Sequence, residues 1–599
     1  MIRELVALAE RNRRKAASEG KIVHDSLQME KVNIYLHINK KGEFKDFQLL
    51  SEPQETLCEA LTSKKGKARL LVDKLEETLG VDNFDEKAEA KHRLYLAKLE
   101  EFRDVKKLQP AMNFYFENKK LGVVTAKKRF ENEIKAQVKE AVKELQRKPD
   151  KNSKKSPDQA AKEKIQKVFQ GNIAFMISDQ CLNEDENIIQ ALIAKYQEKQ
   201  NGFTRKKCSV CGQEKYPVED IPHGMISNVP EGLNGRGAFV SFNEKVFESY
   251  GLIGNLNSQI CTNCARAYTD SLNWLLSPSG FAKTDKGKDK PIFNNRYDFG
   301  KDTASVFWTK KESSFSPKKF MEARSSTDIK TLFESVQKGV KNSVKSNEFY
   351  ALTLSGSAAR IMVRDYIQMS VQQVQENLIQ WFDDIDIGRK DGAGLVQYSP
   401  LWRMKESVRR PNDSKNNDMT PARVHTYLWR AAIQNTAIPI WPLHAVVNRI
   451  RMDSYKLTLK VSDEKSSGSL SFGQIFSASR ISLIKLILNR LDKGERIMKE
   501  LNEHSESIAY NCGRIFAVLA KIQYHAAKRD VNVGVVNRFY SATSTTPSAA
   551  FGRLFKNAQN HLAKIASGNK GHAVNLEKQL SELVAHVGDF PQTLNLEDQ

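Results

Sequence analysis

No run of eighteen or more apolar residues occurs anywhere in this 599-residue chain, which excludes a transmembrane helix of ordinary length. The opening MIRELVALAERNRRKAASEG mixes charges throughout, unlike a secretory leader, so a cytoplasmic protein without membrane attachment is expected. Cysteine is scarce. There are seven, and Cys58, Cys181 and Cys512 stand isolated, which excludes a disulfide framework. A G-x-x-x-x-G-K-[ST] loop is missing, and with it the corresponding class of ATPase. The glycines of Gly232-Leu233-Asn234-Gly235-Arg236-Gly237 lack the strand-turn-helix setting of a dinucleotide fingerprint. His24-Asp25 would serve a metal-dependent phosphohydrolase only beside further His and Asp ligands, and no matching set accompanies it. No catalytic constellation emerges, so a binding protein is expected, not an enzyme. Acidic residues are also in deficit, 72 against 94 Lys plus Arg, a net charge of +22. Counterion release then favours a polyanionic partner, with nucleic acid first.

What is present is organised around two Cys-x-x-Cys pairs, Cys208/Cys211 and Cys261/Cys264. Four thiolates from two knuckles are the donor set of a closed, structural Zn²⁺ site. Gly212, directly after Cys211, permits the left-handed turn that aims N–H groups at the sulfurs. A thioredoxin-type redox pair is disfavoured, because neither pair follows a strand of a recognisable βαβ unit.

At this length more than one domain is expected. The chain opens with an amphipathic helix on Ile2, Leu5, Val6 and Ala9, ending near Gly20. A hairpin follows, with Val32 to Ile38 alternating, Asn39 to Gly42 turning and Glu43 to Leu50 returning. Leu70 to Leu145 reads as helical, interrupted by a strand at Met112 to Phe116. Arg147 to Lys164 reads as a solvated linker, and Lys283 to Lys290 as a second charged loop. Ala304 to Trp308 and Phe349 to Leu354 read as strands. Ser355-Gly356-Ser357 then turns into a long helix carrying Ile361 to Phe382. The polar, proline-bracketed segment 409–421 is the expected domain boundary. Beyond it, one apolar stripe is Ile508, Cys512, Ile515, Phe516, Leu519 and Ile522. Another is Leu554, Phe555, Ala558, His561, Leu562 and Ile565, on a helix with Thr546 as N-cap and Pro547 at its first position. The expected fold is α+β: a mixed α/β N-terminal domain, 1–408, with a four-cysteine zinc subdomain inserted at about 200–280, then an all-α bundle, 422–599.

Several segments, in this order, resemble one family. They are Ile221 to Val229 (IPHGMISNV), Gly237 to Asn243 (GAFVSFN), Phe247 to Gly251 (FESYG), Ala267 to Leu276 (AYTDSLNWLL), Asp302 to Trp308 (DTASVFW), Phe349 to Arg364 (FYALTLSGSAARIMVR) and Arg538 to Phe555 (RFYSATSTTPSAAFGRLF). The chain is similar to the large subunit of the type I-C CRISPR Cascade complex, an RNA-guided DNA surveillance assembly. The resemblance implies that the N-terminal part holds the 5′ end of the guide CRISPR RNA and inspects the PAM in double-stranded target DNA. A bundle resembling the small subunit would line the path of the displaced strand and stabilise the R-loop. Other Cascade subunits and a helicase-nuclease would be its partners. It also implies a supporting role for zinc, since the complete four-cysteine set is not universal in that family.

Within this frame Asn234, Arg236 and Asn243 are the candidate PAM readers, because glycines permit close groove approach while amides and Arg suit A·T edges and a narrow minor groove. Arg360 and Arg364, one turn apart on the expected helix, are candidates for guide or DNA backbone. Arg480, Lys485 and Arg490 are candidates for the displaced strand. Met498 is a candidate internal start for a separate small subunit, with Lys493-Gly494-Glu495-Arg496-Ile497 able to encode a ribosome-binding site; Met452 is a longer alternative. The competing reading is a zinc-stapled nucleic-acid scaffold outside CRISPR defence.

Overall fold

The computed structural model describes the chain apart from residues 62–67, 82–86, 148–155, 203–204, 215, 218–221, 243, 249, 285–286, 288, 324–328, 330–346, 388–397, 410–419, 453–471, 492–495 and 528–533. By packing, the chain divides into two compact units, 1–274 with 357–361, and 275–356 with 362–599. None of the described helices is long and apolar enough to cross a membrane.

In the first unit, α1 (Ile2–Ser18) buries Leu5, Val6, Leu8 and Ala9. The hairpin β1 (Leu27–Ile38) and β2 (Phe44–Glu59) is antiparallel, and Gly42, at φ +80°, closes the turn by donating to Asn39. Further along come β3 (Asp73–Lys74), α2 (Ala88–Glu100), α3 (Val123–Arg147), α4 (Pro157–Phe169), β4 (Asn172–Ile177), β5 (Gln180–Cys181) and α5 (Glu186–Asn201). The sheet runs β2-β1-β4-β3, with β5 on β4, and β1 pairs β4 in parallel. Alternation puts Ile34, Leu36 and Ile38 into one core with Phe114, Phe130 and Phe175. A register shift between Val32 and Ile34 sends Val32 to a separate cluster with Cys58, Val72 and Ala174.

Two expectations fail here. Met112 to Phe116 is not a strand. Helix Gln109–Met112 continues as a π-helical turn, Asn113–Glu117, which buries the successive Phe114 and Tyr115 in one core, whereas a strand would send them to opposite faces. Nor is Arg147 to Lys164 all linker. Residues 148–155 lie outside the described set, but α4 starts at Pro157, and the Ser156 side chain accepts from the Gln159 N–H.

The four-cysteine part of this unit contributes β6 (Met225–Ser227), β7 (Arg236–Ala238) and α6 (Thr262–Leu276). In the second unit β8 (Arg296–Asp298), β9 (Thr303–Thr309), β10 (Glu348–Ser357) and β11 (Arg360–Ser370) follow in that order across the sheet. The expected long helix from Ser357 is therefore wrong at its start: residues 360–370 are strand, and α7 (Val371–Ile385) begins only after Ser370. A capping box explains the switch, since Ser370 Oγ accepts from Gln373 N–H and the Gln373 side chain accepts from Ser370 N–H. The expected loop at Lys283 to Lys290 joins a strand pair, Gly280–Lys283 with Asp289–Ile292, which takes in its two ends, while Thr284 and Gly287 lie between the strands.

Next come α8 (Thr420–Gln434), α9 (Trp441–Met452) and α10 (Phe472–Arg490). Val424, Leu428 and Trp429 of α8 share a core with Trp381 and Phe382 of α7 and Phe349 of β10, and Leu483, Leu486 and Ile487 of α10 complete it. The expected boundary at 409–421 thus falls inside the second unit, and the helices after it do not all belong to one bundle; its residues 410–419 lie outside the described set. The C-terminal helices α11 (Ile508–Ala526), α12 (Val535–Thr545), α13 (Pro547–Ala566) and α14 (Lys570–Val587) enclose their own core of Ile515, Leu519, Ile522, Phe551, Leu554 and Leu580. Thr546 stands at the N-cap of α13 as expected, but its hydroxyl donates backward to Ala542 O at 3.2 Å and caps nothing. The fold is α+β, with an α/β N-terminal region, a four-cysteine cluster and a helical C-terminal region.

Candidate functional site

The four cysteines meet. Their Sγ atoms all lie within 4.8 Å of one another, and they are the one such His, Cys, Asp or Glu group among the described residues. A tetrahedral zinc with bonds of about 2.3 Å would set its sulfurs about 3.8 Å apart, so the donor set fits with only a small contraction. The first knuckle is shaped by Gly212 at φ +74°, whose N–H donates to Cys208 O, while Cys208 N–H donates to Gln213 O. Backbone N–H groups already face the sulfurs: Cys261 N–H to Cys208 Sγ and Cys264 N–H to Cys261 Sγ, each 3.4 Å. The second pair sits at the start of α6, where the positive end of the helix favours thiolate. Hydrogen bonding from the Cys264 thiol, outweighing burial, brings the Cys261 pKa down to about 6, and the Cys264 thiol is pushed up in exchange.

The centre is tied to the N-terminus of the chain. Arg3 Nε donates to Val210 O at 3.3 Å, and Ser271 Oγ of α6 donates to Leu5 O at 2.7 Å. Arg266 donates to Leu27 O at 2.7 Å, and Arg13 bridges Asp25 and Asp270. Asp25 is thus engaged by Arg13, and His24 Nδ1 sits 2.8 Å from Ser26 Oγ, so the His24-Asp25 pair serves local structure.

Beside it stands the β6–β7 hairpin. Asn234 and Gly235 both have positive φ, +53° and +71°, and Arg236 N–H donates to Leu233 O at 3.1 Å. Within the connection 228–235 this is a two-residue Asn-Gly turn of type I′, closed by an isolated bridge between Leu233 and Arg236. Gly232 is obligatory, since a Cβ there would meet Arg236 O at 2.6 Å. The hairpin docks on residues 357–361: Leu233 N–H donates to Ala358 O, Ala238 N–H to Ala359 O, and Arg360 pairs with Ala238. Asn234 and Arg236 are exposed on this edge, and the Arg360 guanidinium lies 4.6 Å from the Phe247 ring centroid. Arg360, distant in sequence, is thereby brought to the edge that carries Asn234 and Arg236. Nearby backbone is strained as well, with Asn228, Glu231 and Tyr250 at positive φ and Tyr250 wholly exposed. Asn243 lies outside the described residues.

Residues 5–599 match the family of CRISPR-associated proteins designated Cas_Csd1. The chain belongs to that family. No curated protein matches it. Membership removes the support for a scaffold outside CRISPR defence.

For this Cas_Csd1 family member the remaining candidates separate. Arg360 and Arg364 lie on strand β11, not on a helix; an even spacing still puts them on one face. Arg364 is exposed, with Nε donating to Ser355 Oγ at 2.8 Å. The proposed stripe of Arg480, Lys485 and Arg490 is overturned by burial. Arg480 donates to Ser407 O, and Lys485 Nζ donates to the carbonyls of Asp383 and Asp386 at 2.8 and 2.7 Å. Arg490 Nε pairs with Asp384 at 2.6 Å, with side-chain exposures of 7% and 1%. Burial lowers the pKa of both Lys485 and Arg490, and the Asp383, Asp384 and Asp386 charges oppose that fall. Lys485 and Arg490 hold α10 against the end of α7, Arg480 holds it to Ser407, and their charged groups are turned inward. Met498 is exposed, in the segment leading to α11.

Proposed function

We propose that this chain is the large subunit of a type I-C Cascade complex and is itself non-catalytic. It holds the guide 5′ end, reads the PAM in duplex DNA, stabilises the R-loop with the other Cascade subunits and leaves cutting to a helicase-nuclease. Its ion is structural Zn²⁺, as four thiolates in a closed set favour. The observation that carries the reading, beyond family membership, is the exposed edge on which Asn234, Arg236 and Arg360 converge beside a strained, glycine-rich turn.

The turn dictates how the PAM assignment is tested. Asn234→Ala would force alanine to φ +53° and damage the hairpin, whereas Asn234→Gly keeps the turn and removes only the amide. In the complex assembled with guide RNA, Asn234→Gly and Arg236→Ala should each weaken binding of correct-PAM duplex by about 1–3 kcal/mol, with little effect on PAM-less duplex. Equal losses on both targets would refute the assignment.

A separate small subunit starting at Met498 also gains support. Such a product, Met498–Gln599, would contain α11 to α14 and their complete core. A cavity of about 920 Å³ separates that core from the preceding one, with Leu443 and Val447 on one side and Val518 and Leu583 on the other. A start at Met452 would add α10, whose Leu483, Leu486 and Ile487 would be stripped from their partners. Intact-mass analysis of the purified complex should show the Met498 product, and Met498→Leu with recoding of Gly494-Glu495 should abolish it. Persistence of the fragment unchanged would place the start elsewhere.

A further inference from the structure

Helix α3 carries a row of cations that nothing in the preceding reading uses. Lys128, Lys135, Lys139 and Lys143 are all exposed, and at 3.6 residues per turn they fall on one face. Lys128 and Lys143 are fifteen positions apart, about 22 Å at 1.5 Å per residue. None of the four has an ion-pair partner among the described residues, although the helix is rich in carboxylates. Three of its four carboxylates are taken up elsewhere, Glu131 by Lys127, Glu133 by Arg129 and Glu144 by Lys164 of α4, while Glu140 lies about 100° around the helix from Lys139. A merely solvated helix would intersperse its charges as i, i+4 pairs, as Glu89 with Arg93 and Lys578 with Glu582 do in this same chain. Here the four lysines share one face and the carboxylates stand on its flanks, at a cost in mutual repulsion along the row.

We propose that this face is a second, sequence-independent contact with duplex DNA, tracking its phosphates away from the PAM-reading edge. Charge complementarity selects a polyanion. A groove of about 480 Å³ runs beside the row toward α4, with Ile134, Val138 and Val142 along it and Asp158 and Lys162 of α4, whose charges cancel, also lining it. Lysine stems line the groove, so their ammonium groups can stay in solvent while the methylenes cover the apolar floor. The face offers Lys128, Asn132, Lys135, Ala136, Lys139 and Lys143 and no aromatic ring. Bases of a single strand would find nothing to stack on, which favours the backbone of a duplex. A straight helix anchored by Phe130 and Ile134 in the core also holds the row rigid, as a stiff partner requires.

This inference rests on the DNA-binding reading above, and the test keeps the two apart. The full complex with guide RNA is titrated with duplex DNA over a range of salt, with Lys128, Lys135, Lys139 and Lys143 changed together to Gln. The slope of log K against log salt should fall by about 0.9 for each lysine that contacts a phosphate, so by about 2–4 in all. Affinity should drop equally on correct-PAM and PAM-less duplex, leaving their ratio unchanged. Lys127→Gln with Arg129→Gln, removing the paired cations of the same helix, should leave the slope as it was. An unchanged slope in the quadruple variant, with PAM discrimination intact, overturns this inference alone. A slope change confined to guide RNA or single-stranded DNA overturns the duplex assignment. Loss of all DNA binding by the unaltered complex sinks the underlying reading instead. The four side chains are solvent-exposed, so an unchanged melting temperature verifies that the variant is folded.

Discussion

Cys208→Ser combined with Cys261→Ser should yield protein without stoichiometric zinc and with the region between α5 and the end of α6 destabilised. Both thiols are 1% exposed, one from each knuckle, so no pair is left intact. The knuckles sit among short strands and turns, such as the three-residue β6 and β7, and little regular structure is available to hold them without the ion. Structural zinc sites in isolated finger peptides contribute about 10–16 kcal/mol of apparent binding energy. A fraction of that is enough to decide whether this region stays folded. Because Val210 and α6 are hydrogen-bonded to Arg3 and Leu5, amide exchange should accelerate in α1 together with α6. Chelation of the wild-type protein should reproduce the effect. Full zinc content in the double variant would end the assignment, and protection unchanged in α1 would end the coupling.

The second large effect is expected at Asp384. Its side chain is 1% exposed and accepts from Arg490 Nε at 2.6 Å and from Arg496 at 2.8 Å. Asp384→Ala leaves the Arg490 guanidinium buried without its carboxylate, and breaking such a pair costs about 3–5 kcal/mol. The complementary change Arg490→Met removes the stranded charge, so the double variant Asp384→Ala/Arg490→Met should recover much of the loss. Chemical denaturation of the four species measures the coupling directly. A double variant as unstable as Asp384→Ala alone would show that the charge is not what matters.

The same network shows why part of the site was legible in the sequence and part was not. Cys-x-x-Cys carries its chemistry in local spacing, so Cys208, Cys211, Cys261 and Cys264 could be assigned without any knowledge of the fold. The cations of α10 are different: Arg490 finds its partner 106 residues away, and nothing local distinguishes it from a solvated Arg. The strand β11 was missed because Ile361, Val363, Tyr366 and Ile367 suit a strand as readily as a helix over so short a run. The signal that decides it, Ser370 three residues before Gln373, was present and unused. Asn234, named as a candidate PAM reader, is exposed, but Asn-Gly between Leu233 and Arg236 also announces a hairpin turn. Its first role is conformational.

The parallel pairing of β1 with β4 has a consequence for synthesis. The hairpin formed by residues 27–59 must wait for residue 172 to emerge before its other edge is covered. The buried stripe of α1 waits longer still, until α6 brings Ser271 to Leu5. Helix α1, which precedes the hairpin in the chain, is therefore among the last elements of its unit to settle. Closure of the thiolate set comes at the same moment, when Cys264 clears the exit tunnel. A nascent chain stalled before that point would present an uncovered sheet edge and an apolar helix to whatever chaperone stands nearby.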